Sequence, residues 1–307
     1  NTWIATAMAA CYLGARPVIV DVEPDTLCLD PEQTRDAITS KTRAIIPVHL
    51  FGSIADMDRF MAISRETGIP VIEDAAHAQG GVWKGRGVGS IGKIGSFSFQ
   101  QSKTLSSGEG GICLTDDDEL ADKLYRIKHI GYGSGQRQGQ AASGPAPGLV
   151  CHNFRGLEFT AVILTEGLRR LKAQTARRDA NARYLAGLLK DVPGISLQAR
   201  GRRANVQSYY MLTVLVDPKA LKPDVTLQDI KTALAAEGLH CGSGYGPVYR
   251  HMLWNLPRRA FRIHSSAMVE ETSNRRMLTL SHNWLLTGRA TMKAMANAFS
   301  KVMRACC

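Results

Sequence analysis

Lys103 stands in Ser96-Phe97-Ser98-Phe99-Gln100-Gln101-Ser102-Lys103-Thr104, a stretch with no other charged residue. A poorly solvated lysine has a depressed pKa, and its free amine is a nucleophile. Such amines form Schiff bases with aldehydes, including that of pyridoxal 5'-phosphate (PLP). That cofactor also needs a carboxylate opposite its pyridinium nitrogen, which keeps the ring an electron sink, and small donors for its phosphate. Asp74, 29 residues before the lysine, is a candidate for the first need, and Ser98 for the second. Residue types alone leave other readings open. A single loop lysine can be a solvated surface charge, and Asp74 can be a helix cap or half of a surface ion pair.

The elements that must position these residues read as α/β. Short apolar runs at 17–22, 43–50 and 69–75 are separated by helix-like stretches. One opens on Asp30-Pro31-Glu32, with Asp as cap and Pro in the first turn, and another spans 55–67 and closes at Gly68. Strands and helices alternating at these lengths imply parallel β/α units, which bind ligands at the carboxyl ends of their strands. Asp74 and His49 fall at such ends. From Trp83 to Gly111 the helical period disappears, and this glycine-rich stretch reads as a functional loop. A strand at 112–115, a helix at 117–130 and a mobile loop at 131–148 follow. A long helix at 157–191 carries Leu157, Ala161, Leu164, Leu168 and Leu171 on one stripe, with Arg169, Arg170, Lys172, Arg177 and Arg178 mostly off it. Beyond Gly194 a smaller α/β unit is expected, with strands at 209–216 and 277–280. Its helices are expected at 226–237, with Thr226 as cap, and at 289–303. The division expected is 1–190 for a large cofactor-binding domain and 191–307 for a small C-terminal domain.

The motif Val71-Ile72-Glu73-Asp74-Ala75-Ala76-His77-Ala78, then Gly95 to Lys103 and Gly108-Glu109-Gly110-Gly111, resembles the DegT/DnrJ/StrS family of PLP-dependent sugar aminotransferases. Thr2-Trp3-Ile4-Ala5-Thr6, Ile46-Pro47-Val48-His49-Leu50-Phe51-Gly52 and Asn153-Phe154-Arg155 extend the resemblance over nearly the whole chain. Gln100-Gln101-Ser102-Lys103, Gln207-Ser208-Tyr209-Tyr210 and Gly246-Pro247-Val248-Tyr249-Arg250-His251 are most similar to the subgroup acting on scyllo-inosose and 2-deoxy-scyllo-inosose. The resemblance implies PLP fold type I, with a mostly parallel sheet in the large domain. It implies amino transfer from glutamine or glutamate to a keto-cyclitol or keto-sugar.

Residue by residue, it implies Lys103 as the Schiff-base lysine and acid/base. Asp74 would serve the pyridine nitrogen, His77 the phenolic oxygen, Ser98 the phosphate and Trp3 the ring face. Asn153 would reach the phosphate of a neighbouring subunit, hence a homodimer with shared sites. Tyr249, Arg250 and His251 are candidates for substrate contact. The family also carries a preceding stretch of roughly 80–100 residues, about half a domain by size, with a Gly-Thr pair for the phosphate. The expectation is therefore a chain truncated at its N-terminus. Relatives with His in place of the lysine dehydrate their substrates, so Lys103 implies transamination. The alternative is a non-catalytic or sensory protein that keeps the fold.

Composition narrows the remaining classes. The chain has 307 residues with a net charge of +11, 44% hydrophobic and 21% charged side chains, which argues against global disorder. No apolar run is long enough to span a membrane as a helix. The charge is regional: residues 1–122 hold 10 basic and 17 acidic side chains, and residues 123–203 hold 15 and 4. The basic stretch 169–183 reads as a solvated helix face, without the aromatic residues that a single-strand nucleic-acid binder interleaves. Seven cysteines without a C-x-x-C pair, and scattered histidines, favour a reducing, cytoplasmic setting with no metal site. Gly87-Val88-Gly89-Ser90-Ile91-Gly92 matches G-x-G-x-x-G but lacks the strand before and the helix after that a dinucleotide loop needs.

Overall fold

Asp74 ends a strand because of the segments built around it. The computed structural model describes residues 1–137, 139 and 148–307. Helix α1 (Ala5–Tyr12) precedes the short strand β1 (Val18–Ile19). Asp30 caps α2 (Pro31–Ala37) by accepting the N–H groups of Glu32 and Gln33, as the Asp-Pro signal predicts. Asp56 caps α3 (Met57–Thr67), and Gly68 closes it at φ 70°. Strands β2 (Ile72–Asp74), β3 (Val82–Trp83), β4 (Arg86–Gly87), β5 (Ile94–Ser98) and β6 (Gly111–Leu114) follow. Next come α4 (Asp118–Lys128) and the 32-residue α5 (Glu158–Leu189). The rest comprises β7 (Ile195–Leu197), β8 (Ala204–Val206), β9 (Met211–Val216), α6 (Leu227–Ala236), β10 (Arg262–Ile263), α7 (Ala267–Arg275), β11 (Met277–Ser281) and α8 (Arg289–Cys306). Thr226 and Asp229 close a reciprocal capping box on α6.

The sheet that carries the motif places β5 between β2 and β6. β2 and β5 run parallel, with Asp74 opposite Ser96, and β6 returns antiparallel. Ile45 and Val48 bridge in parallel onto Val71 and Asp74, so the segment before His49 widens the sheet. A second sheet, β11-β9-β7, is antiparallel. The hydrophobic interior forms two clusters. One joins Leu27, Phe51, Phe60, Ile63, Val71 and Trp83. The other joins Leu185, Leu189, Val214, Ile230, Leu280 and Phe299 from α5, β9, α6, β11 and α8.

The structure corrects two expectations and adds one finding. Residues 83–111 are not one loop: they hold β5, the middle strand of the motif sheet. Its small residues hid it, and they are needed there. A Cβ on Gly95 would lie 1.9 Å from the Gly89 carbonyl oxygen, so only glycine lets the two segments touch. The apolar stripe on the first half of α5 is not buried in the single chain, since Leu157 and Leu168 are 67% and 56% exposed. Burial begins at Thr175. Finally, Arg178 is not on a solvated face but is fully buried. Half of the loop expected at 131–148 (residues 138 and 140–147) lies outside the described residues.

Candidate active site

The carboxyl end of β2 turns through Ala75-Ala76 into His77, and β5 ends at Ser98, five residues before Lys103. Asp74 is half-buried and held at both oxygens. Oδ1 accepts the Ala76 N–H at 3.1 Å, and Oδ2 accepts the Thr6 hydroxyl at 2.6 Å. The carboxylate thus points toward the segment that carries Trp3 and Thr6. Lys103 forms no ion pair among the described residues, and burial pushes its pKa down to about 8, with the Asp74 charge opposing. Its Nζ lies 4.3 Å from the Tyr210 ring centroid.

His77 is buried between aromatic rings. It stacks on Tyr210 at 4.4 Å and 16°, and lies near-parallel to Phe51 and Tyr245 at 6.0 and 5.7 Å. Burial, then the Lys103 charge, hold its pKa well below the usual value, so the ring is neutral. Nδ1 accepts the Phe51 N–H at 3.3 Å, which leaves the proton on Nε2, 3.4 Å from the Tyr245 hydroxyl. The Ser98 hydroxyl accepts the Gln100 N–H at 3.3 Å and keeps its own proton to donate. Gln79 braces this end of the sheet, donating to the carbonyls of Ala76 and Ser98 and accepting the Thr104 hydroxyl.

The structure therefore brings Asp74, His77, Ser98 and Lys103 around the ends of two adjacent strands. Trp3, 43% exposed, leans on Tyr245 at 5.8 Å and on His251 at 4.8 Å, which ties the candidate substrate loop to the pocket rim. Tyr249 and Arg250 both turn to Glu270, at 2.7 Å each. Asn153 is exposed, and its side chain hydrogen bonds nothing among the described residues. Sequence reading missed Tyr245 as a pocket residue and gave Tyr210 no role. Both arrive from segments more than a hundred residues beyond Lys103, beyond the reach of local spacing.

Segment 208–210 reaches the pocket because Gly52 lets it cross the end of the His49 segment. A Cβ on Gly52, at φ 97°, would lie 2.4 Å from the Tyr209 nitrogen. Phe51 and Tyr209 flank this crossing with φ of 56° and 54°. Such bulky residues avoid that region, and each carries strain of about 1–3 kcal/mol that surrounding burial must hold.

Behind the pocket, Glu73 is fully buried and its oxygens accept four donors. These are the His49 Nε2 at 3.1 Å and the N–H groups of Gly89, Ile91 and Gly92 at 2.8, 2.6 and 2.6 Å. Burial alone would raise its pKa, but the His49 hydrogen bond and the loop amides outweigh it and leave the carboxyl below its usual range. The G-x-G-x-x-G segment is thus an anion nest whose anion is the chain's own Glu73. No group of acidic, His or Cys residues able to hold a metal exists among the described residues, and all seven cysteines are free. No described helix is long and apolar enough to cross a membrane.

The DegT/DnrJ/EryC1/StrS aminotransferase family model matches residues 1–298. An L-glutamine:2-deoxy-scyllo-inosose aminotransferase of Streptomyces lividus is 36% identical over 99% of this chain and 75% of its own length. An L-glutamine:scyllo-inosose aminotransferase of Streptomyces griseus is 32% identical over 98% of the chain and 74% of its own. Among solved structures, 3-amino-5-hydroxybenzoic acid synthase superposes with a TM-score of 0.83 at 31% identity, covering 99% of this chain and 78% of that one.

Proposed function

The chain is a member of the DegT/DnrJ/EryC1/StrS aminotransferase family, and from that premise we propose that it moves the amino group of L-glutamine, or of glutamate, onto a keto-cyclitol of the inosose class. It is a transaminase, and pyridoxal phosphate is its cofactor. The observation that carries the reading is a part-buried Lys103, without an ion pair among the described residues, in the turn that follows β5 and within electrostatic reach of Asp74 at the end of the parallel strand β2.

The donor set fits the cofactor: one low-pKa amine, one carboxylate, one free hydroxyl proton and one neutral imidazole. When bound, PLP supplies an aldehyde and a protonated ring that withdraws electrons from the substrate. Lys103 would be the residue that holds the cofactor, and its free amine would hold and return a proton at Nζ. Its pKa near 8 suits both tasks near neutral pH. Asp74, oriented by Thr6 and Ala76, keeps a pyridinium nitrogen charged. His77 offers Nε2–H to a phenolic oxygen, and Ser98 donates to the phosphate. Trp3 would cover the ring, and His251, in ring contact with Trp3, would meet the acceptor, with Tyr249 and Arg250 held on Glu270 nearby. Asn153, which is exposed, would serve the site of a second subunit in a homodimer. The working units are 1–190 and 191–307, in a cytoplasmic protein.

The test supplies glutamine and glutamate in turn with scyllo-inosose, 2-deoxy-scyllo-inosose and a nucleotide-linked keto-sugar, and follows aminated product by mass spectrometry. Amination of a cyclitol with glutamine, lost in Lys103→Ala, is expected. Amination of the nucleotide-linked sugar alone, or turnover that survives Lys103→Ala, contradicts the reading.

A further inference from the structure

We propose that Tyr210 seats the reactive amine: its ring face holds Nζ of Lys103, and its hydroxyl anchors Ser102, the residue just before it. The inference rests on Lys103 as the reactive lysine and goes on to what fixes that lysine in place. Nζ lies 4.3 Å from the ring centroid, within reach of the negative face of the π system. The hydroxyl lies 2.8 Å from the Ser102 Oγ. That Oγ also contacts the Gln100 Oε1 at 2.6 Å, and Oε1 accepts the Ser102 N–H at 2.8 Å. A carboxamide oxygen can only accept, so the serine proton goes to Gln100. Ser102 must therefore accept from Tyr210, and the chain Tyr210 to Ser102 to Gln100 has a single direction. It fixes the turn from which the Lys103 side chain springs.

The tyrosine is itself immobilised. It is 6% exposed and stacks on His77, and its backbone is set by the crossing at Gly52. Its ring is also the group that tempers the amine. Burial disfavours the ammonium form of Lys103, and the Asp74 carboxylate favours it. The imidazoles that face this region are neutral: His77 through burial, and His282 through burial and the Arg178 charge beyond it. The Tyr210 face adds a second attraction for the ammonium form and leaves the amine able to take up a proton as well as give one.

The test needs neither substrate nor cofactor. In the cofactor-free full chain, acylation of Lys103 by an amine-directed reagent is followed against pH by peptide mass spectrometry. A wild-type midpoint near that of a free lysine would sink the reading of Lys103 as a dry amine, whatever Tyr210 does. Given a depressed wild-type midpoint, Tyr210→Phe keeps the ring and is expected to stay within about 0.3 units. Pentafluorophenylalanine at position 210 keeps the shape but reverses the charge of the ring face, so the midpoint should fall by about one unit. Tyr210→Leu should fall similarly, with circular dichroism confirming the fold. Equal midpoints in the phenylalanine and pentafluorophenylalanine proteins overturn the proposal even if the leucine variant does not fold.

Discussion

Glu73 and Asp74 are neighbours on β2 with the same functional group, and strand alternation turns them to opposite faces. Glu73 enters the interior, where four donors from His49 and the 89–92 loop saturate it. Asp74 faces the pocket, with one donor on each oxygen and the Lys103 charge within electrostatic reach. A carboxylate whose lone pairs are all taken can hold a structure but has nothing left for a ligand. One that is oriented and still partly open can do chemistry. The back face therefore governs whether the strand end forms, and the front face what it does.

The largest effect should come from the front. Lys103→Ala is expected to lower kcat at least about 10³-fold, as loss of a covalent catalyst does, with unchanged unfolding by urea. Asp74→Asn should lower kcat by about 10²-fold and stability by less than about 1 kcal/mol, because a half-buried amide can still accept at one position. Glu73→Gln should do the reverse. Its amide N–H₂ must face loop N–H groups, so stability should fall by about 1–3 kcal/mol, while kcat of the folded fraction changes less than in Asp74→Asn. If Glu73→Gln loses more kcat than Asp74→Asn at equal stability, the division of labour between the faces is wrong.

The smallest effect is a pH signature. The Glu73 carboxyl lies below its usual range in the folded chain, so the unfolded chain takes up this proton first as pH falls. The stabilisation is fully present above the unfolded value of about 4.3 and is lost as pH falls through the lower folded value. The melting temperature should therefore fall with acid in that window, and the slope should be shallower in Glu73→Gln. His77 titrates in the folded chain well below its usual value, so it too contributes stability that is lost as pH falls below about 6.5. That earlier part of the slope should persist in Glu73→Gln.

Much of this division was legible in the sequence, and the rest shows where local reading stops. Asp30-Pro31, Gly68 and the Thr226–Asp229 box mark helix ends through chemistry confined to one turn, and the helices end there. Asp74, His77, Ser98 and Lys103 share two adjacent strand ends, so their spacing carried most of the geometry. Glu73 was readable from parity, since a strand that presents Asp74 on one face must bury its neighbour on the other. β5 was not readable, because glycine and serine at its tight crossing mimic a loop. Tyr210, Tyr245 and the burial of Arg178 come from tertiary packing and leave no periodic trace. The exposed stripe on α5 shows the converse: periodicity announces an apolar face without saying what covers it.

The central claim is that Lys103 is the residue that holds pyridoxal phosphate. Incubating the protein with PLP, reducing with borohydride and sequencing its peptides by mass spectrometry tests this directly. The account predicts a stable pyridoxyl adduct on Lys103, formed in preference to every other lysine and absent from that peptide in Lys103→Ala. An adduct spread over surface lysines, with Lys103 unmodified, would contradict it.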